Sequence, residues 1–243
     1  MNPLSSIPPF LQGIGALVIF AEGVFLVAWH ARQAEHARPD AAPVVAGFLS
    51  LWFAAALLLG DSAHFPLPNE GLRQPLSGLV ALVPFAGALL WVFRSQAGRA
   101  INSATAPVAL IAVQFYRVAG VFFLFPHLAY GTLPGGFAWP AGVGDTITGL
   151  AAPFVALALL RQCRGSVTLA VAWNLFGILD LIVAPATATY FRVPILAMYP
   201  LSLVPLFVGP PLGILTHVLS LRNLAVNRNV PYANIEKCKH LSS

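Results

Sequence analysis

The chain has 243 residues, of which 58% are hydrophobic and 9% charged, with a mean hydropathy of +0.80. A soluble domain carries about 25% charged residues, so these charges cannot clothe a water-facing surface, and the bilayer is the natural solvent. The net charge of +5 does not point to nucleic acid, because the basic residues lie scattered at the ends of apolar runs and form no patch.

Seven apolar runs predict seven membrane-spanning helices, at 10–30, 41–60, 75–93, 107–125, 141–160, 166–188 and 200–221. Each is about 20 residues long, the length that crosses the hydrocarbon core. The expectation is an all-α, polytopic integral membrane protein. One seven-helix domain would fill 1–221, and a short polar tail would fill 222–243, drawn to anionic lipid by its basic residues.

The opening MNPLSSIPPF lacks the positive stretch of a signal peptide, so the first run reads as a retained helix. Within it Gly15, Glu22 and Trp29 align at heptad spacing. The second to seventh runs pair into three loosely similar hairpins. Their first helices open PVVAGF at Pro43, PVALIA at Pro107 and SVTLAV at Ser166. Their second helices carry an interior proline and end in arginine: Pro84 and Arg94, Pro153 and Arg161, Pro211 and Arg222. One helix plus three hairpin repeats is therefore an expected plan, of a kind common in transport proteins.

The fourth run carries the most informative residue, Arg117, with no acidic residue in the run to pair with it. A guanidinium at that depth is costly by several kcal/mol and is expected to face a protein partner or a water-filled cavity. Gln114, Arg117 and Gly120 follow at three-residue steps and make one polar, small side. In the fifth run Asp145, Thr148, Gly149 and Ala152 share a face, and in the sixth Trp173, Gly177 and Asp180 do, with Asn174 one step off. Small residues beside polar ones suit close helix packing. Counted from the predicted boundaries, Asp145 lies only about 6 Å below the outer end of its helix, where it could be no more than an N-terminal cap. Glu22 reads as a proton-relay candidate, or else as a quiet hydrogen-bond donor. The seventh run contains Pro205, Pro210 and Pro211, the last two within FVGPPLG, and is expected to kink or partly unwind there. Such a break either lines a binding site or serves packing.

Charge sets direction. Arg32, Arg38, Arg94, Arg99, Arg161, Arg164, Arg222, Arg228, Lys237 and Lys239 fall on one side, against Arg73 and Arg192 on the other. The positive-inside rule makes the first side cytoplasmic, with the N-terminus outside and the C-terminus inside, in a bacterial inner membrane. Cys163 and Cys238 then lie in a reducing compartment, where a structural disulfide is not expected. The outer loops are rich in aromatic, Pro and Gly residues. They read as an interfacial belt with Tyr130, Trp139, Tyr190 and Tyr199, or as a lid over an outward-facing cavity.

The leading functional expectation is binding or transport of a small anionic or polar molecule at an outward-facing site. Arg117, Asp180, Asp145, Asn174 and Gln114 are its ligand-binding candidates and Glu22 its proton relay. The first alternative is a haem-binding or redox membrane enzyme, with His217 and His30 as axial-ligand candidates near the inner edge. The second is a structural subunit of a membrane complex, in which an Arg117–Asp180 or Arg117–Asp145 pair fixes helix register. No HExxH, GxSxG or P-loop spacing occurs, and no metal site or particular cofactor is indicated. No lysine lies in a span, which removes a retinal Schiff base. Expected partners are the lipid bilayer, a small-molecule ligand, and a second copy or a membrane complex.

Overall fold

A computed structural model describes residues 7–226. Among these residues every regular element is helical, and seven helical segments are long and apolar enough to cross a membrane. They are Pro9–Ala37, Ala42–Gly60, Glu70–Arg94, Pro107–Tyr130, Gly135–Leu160, Ser166–Tyr190 and Val204–Val226. The protein is thus an all-α polytopic membrane protein. Large apolar side chains point outward along these spans, with Leu17 68%, Leu51 73% and Phe154 73% exposed, as lipid contact requires.

The helices are α1 (Pro9–Ala37), α2 (Ala42–Gly60), α3 (Arg73–Arg94), α4 (Gln96–Ala104), α5 (Pro107–Ala112), α6 (Val121–Tyr130), α7 (Gly135–Leu160), α8 (Ser166–Tyr190) and α9 (Pro210–Val226). Proline opens α1, α2 and α5, where its missing N–H costs nothing. Gly131 closes α6 in the left-handed conformation, with its N–H on His127 O at 3.0 Å.

Three features differ from the sequence reading. The connection after the third span holds a helix, α4, where a loop is expected. Ser95 Oγ caps it by accepting from the Gly98 N–H at 2.8 Å. Its far end is tied to α9: Asn102 Nδ2 donates to Asn223 Oδ1 at 2.8 Å, and Asn223 Nδ2 donates to Asn102 O at 2.6 Å and Thr105 O at 2.8 Å. The fourth span is not one α-helix, because Val113–Gly120 between α5 and α6 winds as a 3-10 helix. The fifth begins at Gly135, ahead of the expected 141, because Pro140 is accommodated inside the helix instead of starting it. The predicted tail residues Arg228, Lys237, Cys238 and Lys239 lie outside the described residues, whereas Arg222 to Val226 continue α9.

The seventh span lies at the centre. It is 67% buried, against 39% or less for the others, and α9 touches α3, α4, α5 and α8. It opens with a π-helical turn, Val204–Val208, broken at Gly209. Pro210 has no N–H to give Leu206 O, and the Trp52 indole supplies that bond instead, at 3.1 Å. Trp52 is buried against Phe207, with ring centroids 5.3 Å apart. Trp52→Phe keeps most of this packing and loses the donor. It is expected to lower stability by about 1 kcal/mol, read as a fall in the thermal midpoint of the detergent-solubilised protein.

At the end of the bundle holding the α2–α3 loop, Arg73 is buried. It donates to Glu70 Oε2 at 2.7 Å, to Phe65 O at 3.2 Å and to Leu59 O. The loop between α2 and α3 is therefore folded onto its own arginine. Trp139 and Tyr190 on the same side are exposed.

Candidate functional site

The 3-10 turn decides where Arg117 points. With three residues per turn, side chains at i and i+3 stack, so Gln114, Arg117 and Gly120 form one line instead of drifting round the helix. All three are buried. The line packs on α7, whose buried face is Asp145, Thr148, Gly149 and Ala152, as the spacing suggests. Gly149 permits the approach, since a Cβ there would lie 2.5 Å from Val118 N and 2.9 Å from the Arg117 carbonyl carbon.

Arg117 is completely engaged. Its Nε donates to Asp145 Oδ1 at 2.7 Å and one terminal nitrogen to Asp180 Oδ2 at 2.5 Å. That same terminal nitrogen lies 2.6 Å from Asp145 Oδ1. The other donates to His217 Nε2 at 3.1 Å and, at 3.5 Å, to Gly177 O. Both carboxyls thus close on the same guanidinium nitrogen. Spans four to seven therefore meet on one guanidinium. Gly144 makes room for Asp180, whose carboxyl occupies the place a Cβ would take.

The hydrogen bonds define the histidine. A guanidinium can only donate, so His217 Nε2 accepts and its Nδ1–H donates to Asn174 Oδ1 at 2.9 Å. Asn174 Nδ2 in turn donates to Ala170 O at 2.7 Å and Ser220 Oγ at 3.2 Å. The Trp173 ring lies against His217, with centroids 5.0 Å apart, and its indole donates to Thr148 O at 3.2 Å.

Several expectations change. Asp145 is no helix cap. Because α7 starts at Gly135, Asp145 lies about 15 Å along it, level with Asp180 at about 15 Å from the end of α8. His217 is not at the inner edge but at the depth of Arg117, and neither ring nitrogen keeps a free lone pair for haem iron. His30 stands apart from this network, with Nδ1 on Leu26 O at 2.8 Å. Gln114 shares the line of Arg117 but turns to α9, donating to Gly213 O at 3.2 Å, while its buried Oε1 has no partner among the described residues. Among the described residues no group of three or more His, Cys, Asp or Glu could hold a metal ion.

Beside the ion pairs lies a cavity of about 30 Å³, lined by Glu22, Tyr116, Arg117, Gly120, Asp145 and the broken segment Val208–Gly209, among others. It has room for roughly two waters and no more. Tyr116 OH closes one wall by donating to Val208 O at 2.7 Å. Glu22, half-buried on α1, has no hydrogen-bond or ion-pair partner among the described residues. Sequence reasoning missed Tyr116 and the carbonyl of Gly177. The only available signal was that Tyr116 adjoins Arg117 in sequence.

Residues 74–225 match a family described as a domain of unknown function, DUF8737. The chain belongs to this family. No curated protein and no solved structure matches the chain. The DUF8737 region holds Arg117, Asp145, Asn174, Asp180 and His217, whereas α1 with Glu22 precedes it.

Proposed function

We propose that the protein is a transporter of a small polar solute, and that its Arg117–Asp145–Asp180 centre takes up and releases a proton as it works. One observation carries this reading: two carboxyls converge on the same terminal nitrogen of a single guanidinium. Two buried carboxylates carry one negative charge more than a single Arg balances, and a proton or a further cation makes up the difference. Glu22, facing the same water-sized cavity, is the group to which the proton would pass. Asn174 and His217 hold the remaining edge of Arg117 and orient it. Both carboxylate-facing donors are occupied, so a free anion would have to displace an aspartate. A neutral or cationic solute is the better cargo. The charge pattern of the loops supports an outward N-terminus in a bacterial inner membrane, with the polar centre reached from outside.

The second reading is a structural subunit, in which the same bonds only lock four spans in register. The full satisfaction of Arg117 is what favours it. Infrared difference spectra across a pH jump separate the two. A proton-handling centre gives a protonated-carboxyl band that Asp180→Asn removes or shifts while the amide bands stay. A carboxyl region silent at every pH leaves only the packing role.

A further inference from the structure

A second, larger cavity of about 260 Å³ lies between α1 and α6 and is almost wholly apolar. Its rim residues Ile14, Val121 and Phe125 are 48%, 46% and 38% exposed on the lipid-facing surface, so the cleft opens toward the bilayer. At its inner end it shares Ile19, Phe122 and Leu201 with the small polar cavity. Along α1, Leu11, Gly15, Ile19 and Glu22 succeed one another at helical spacing, so one face of one helix leads from the apolar cleft to a carboxyl.

We propose that this cleft admits a lipophilic amine from the bilayer, its apolar body between α1 and α6 and its ammonium on Glu22. The walls suit a hydrocarbon body of moderate size. The polar end suits a cation. Glu22 and Asp145 face the small cavity, and its one cation among the described residues, Arg117, is already bonded to Asp145 and Asp180. Tyr116, the other titratable group there, gives its hydroxyl to Val208 O. A fatty acid would bring one more carboxylate against these, and a fatty alcohol would leave Glu22 without a counter-charge. The ammonium instead gains a charge-assisted bond in a water-poor site. The amine is a ligand of the cleft, distinct from the small polar solute of the transport reading, and its occupancy of the cleft is a separate, directly measurable claim.

The test is photolabelling of the full chain in lipid nanodiscs with a diazirine-bearing dodecylamine, beside the matched alcohol and fatty acid, followed by peptide mapping. The amine is expected to label the α1 and α6 peptides roughly tenfold above the other two, and Glu22→Gln to remove that advantage. Gly15→Leu fills the cleft and is expected to suppress labelling by all three. Where that variant does not give monodisperse protein, competition by unlabelled dodecylamine replaces it. Equal labelling by amine, alcohol and acid, or amine labelling unchanged in Glu22→Gln, overturns the proposal. No proton or solute flux is read, so failure here is distinguishable from failure of the infrared test.

Discussion

Arg117→Ala is expected to destabilise the bundle by about 3–5 kcal/mol, the cost of stripping one partner from a buried ion-pair cluster. The change leaves Asp145 and Asp180 facing each other with no cation between them and removes the donor to His217. For a chain of this size that is a fall of roughly 10 °C in the thermal midpoint. A triple variant, Arg117→Met with Asp145→Asn and Asp180→Asn, removes all three charges together. It is expected to recover much of the loss, because no uncompensated charge remains buried. A midpoint unchanged in Arg117→Ala would mean that the four spans are held by apolar packing alone.

Gly149→Ala is expected to be nearly as disruptive, although it adds only a methyl group. The new Cβ meets backbone, Val118 N at 2.5 Å and the Arg117 carbonyl carbon at 2.9 Å, and backbone cannot swing aside as a side chain can. Overpacking of this kind costs about 1–3 kcal/mol. It also pushes α7 away from the 3-10 segment, so Asp145 loses its alignment on Arg117. The matched control is Gly87→Ala, where a Cβ meets nothing within 4 Å. That change is expected to stay within about 0.5 kcal/mol of the parent. Thermal unfolding of the pair reads the difference, and equal midpoints would show that the close approach at Gly149 is not needed.

The seven spans were legible because 18 or more apolar residues between turn signals have few other solutions. The polar faces were legible too. The steps 114–117–120 and 145–148–149–152 give the buried sides correctly, and the 3-10 winding strengthens the first of them. The lateral arrangement was not legible. That Asp145 and Asp180 both reach Arg117 depends on which spans are neighbours, and seven similar apolar helices do not encode this in their periodicity. His217 was misjudged because the proline-rich break consumes residues before α9 starts at Pro210, which moves the histidine toward mid-membrane. The α4 helix was missed because it is short and polar.

The most deeply enclosed span is also the last of the seven to leave the ribosome. Spans four, five and six carry Arg117, Asp145 and Asp180, so all three charges are made before the central helix exists. Six helices must then wait with their shared axis empty until Val204–Val226 is threaded among them. Only at that point does His217 reach Arg117, does Tyr116 find Val208 O, and does Asn102 close on Asn223. A ribosome stalled before residue 204 is therefore expected to leave a bundle that holds all three charges but stays open along its middle.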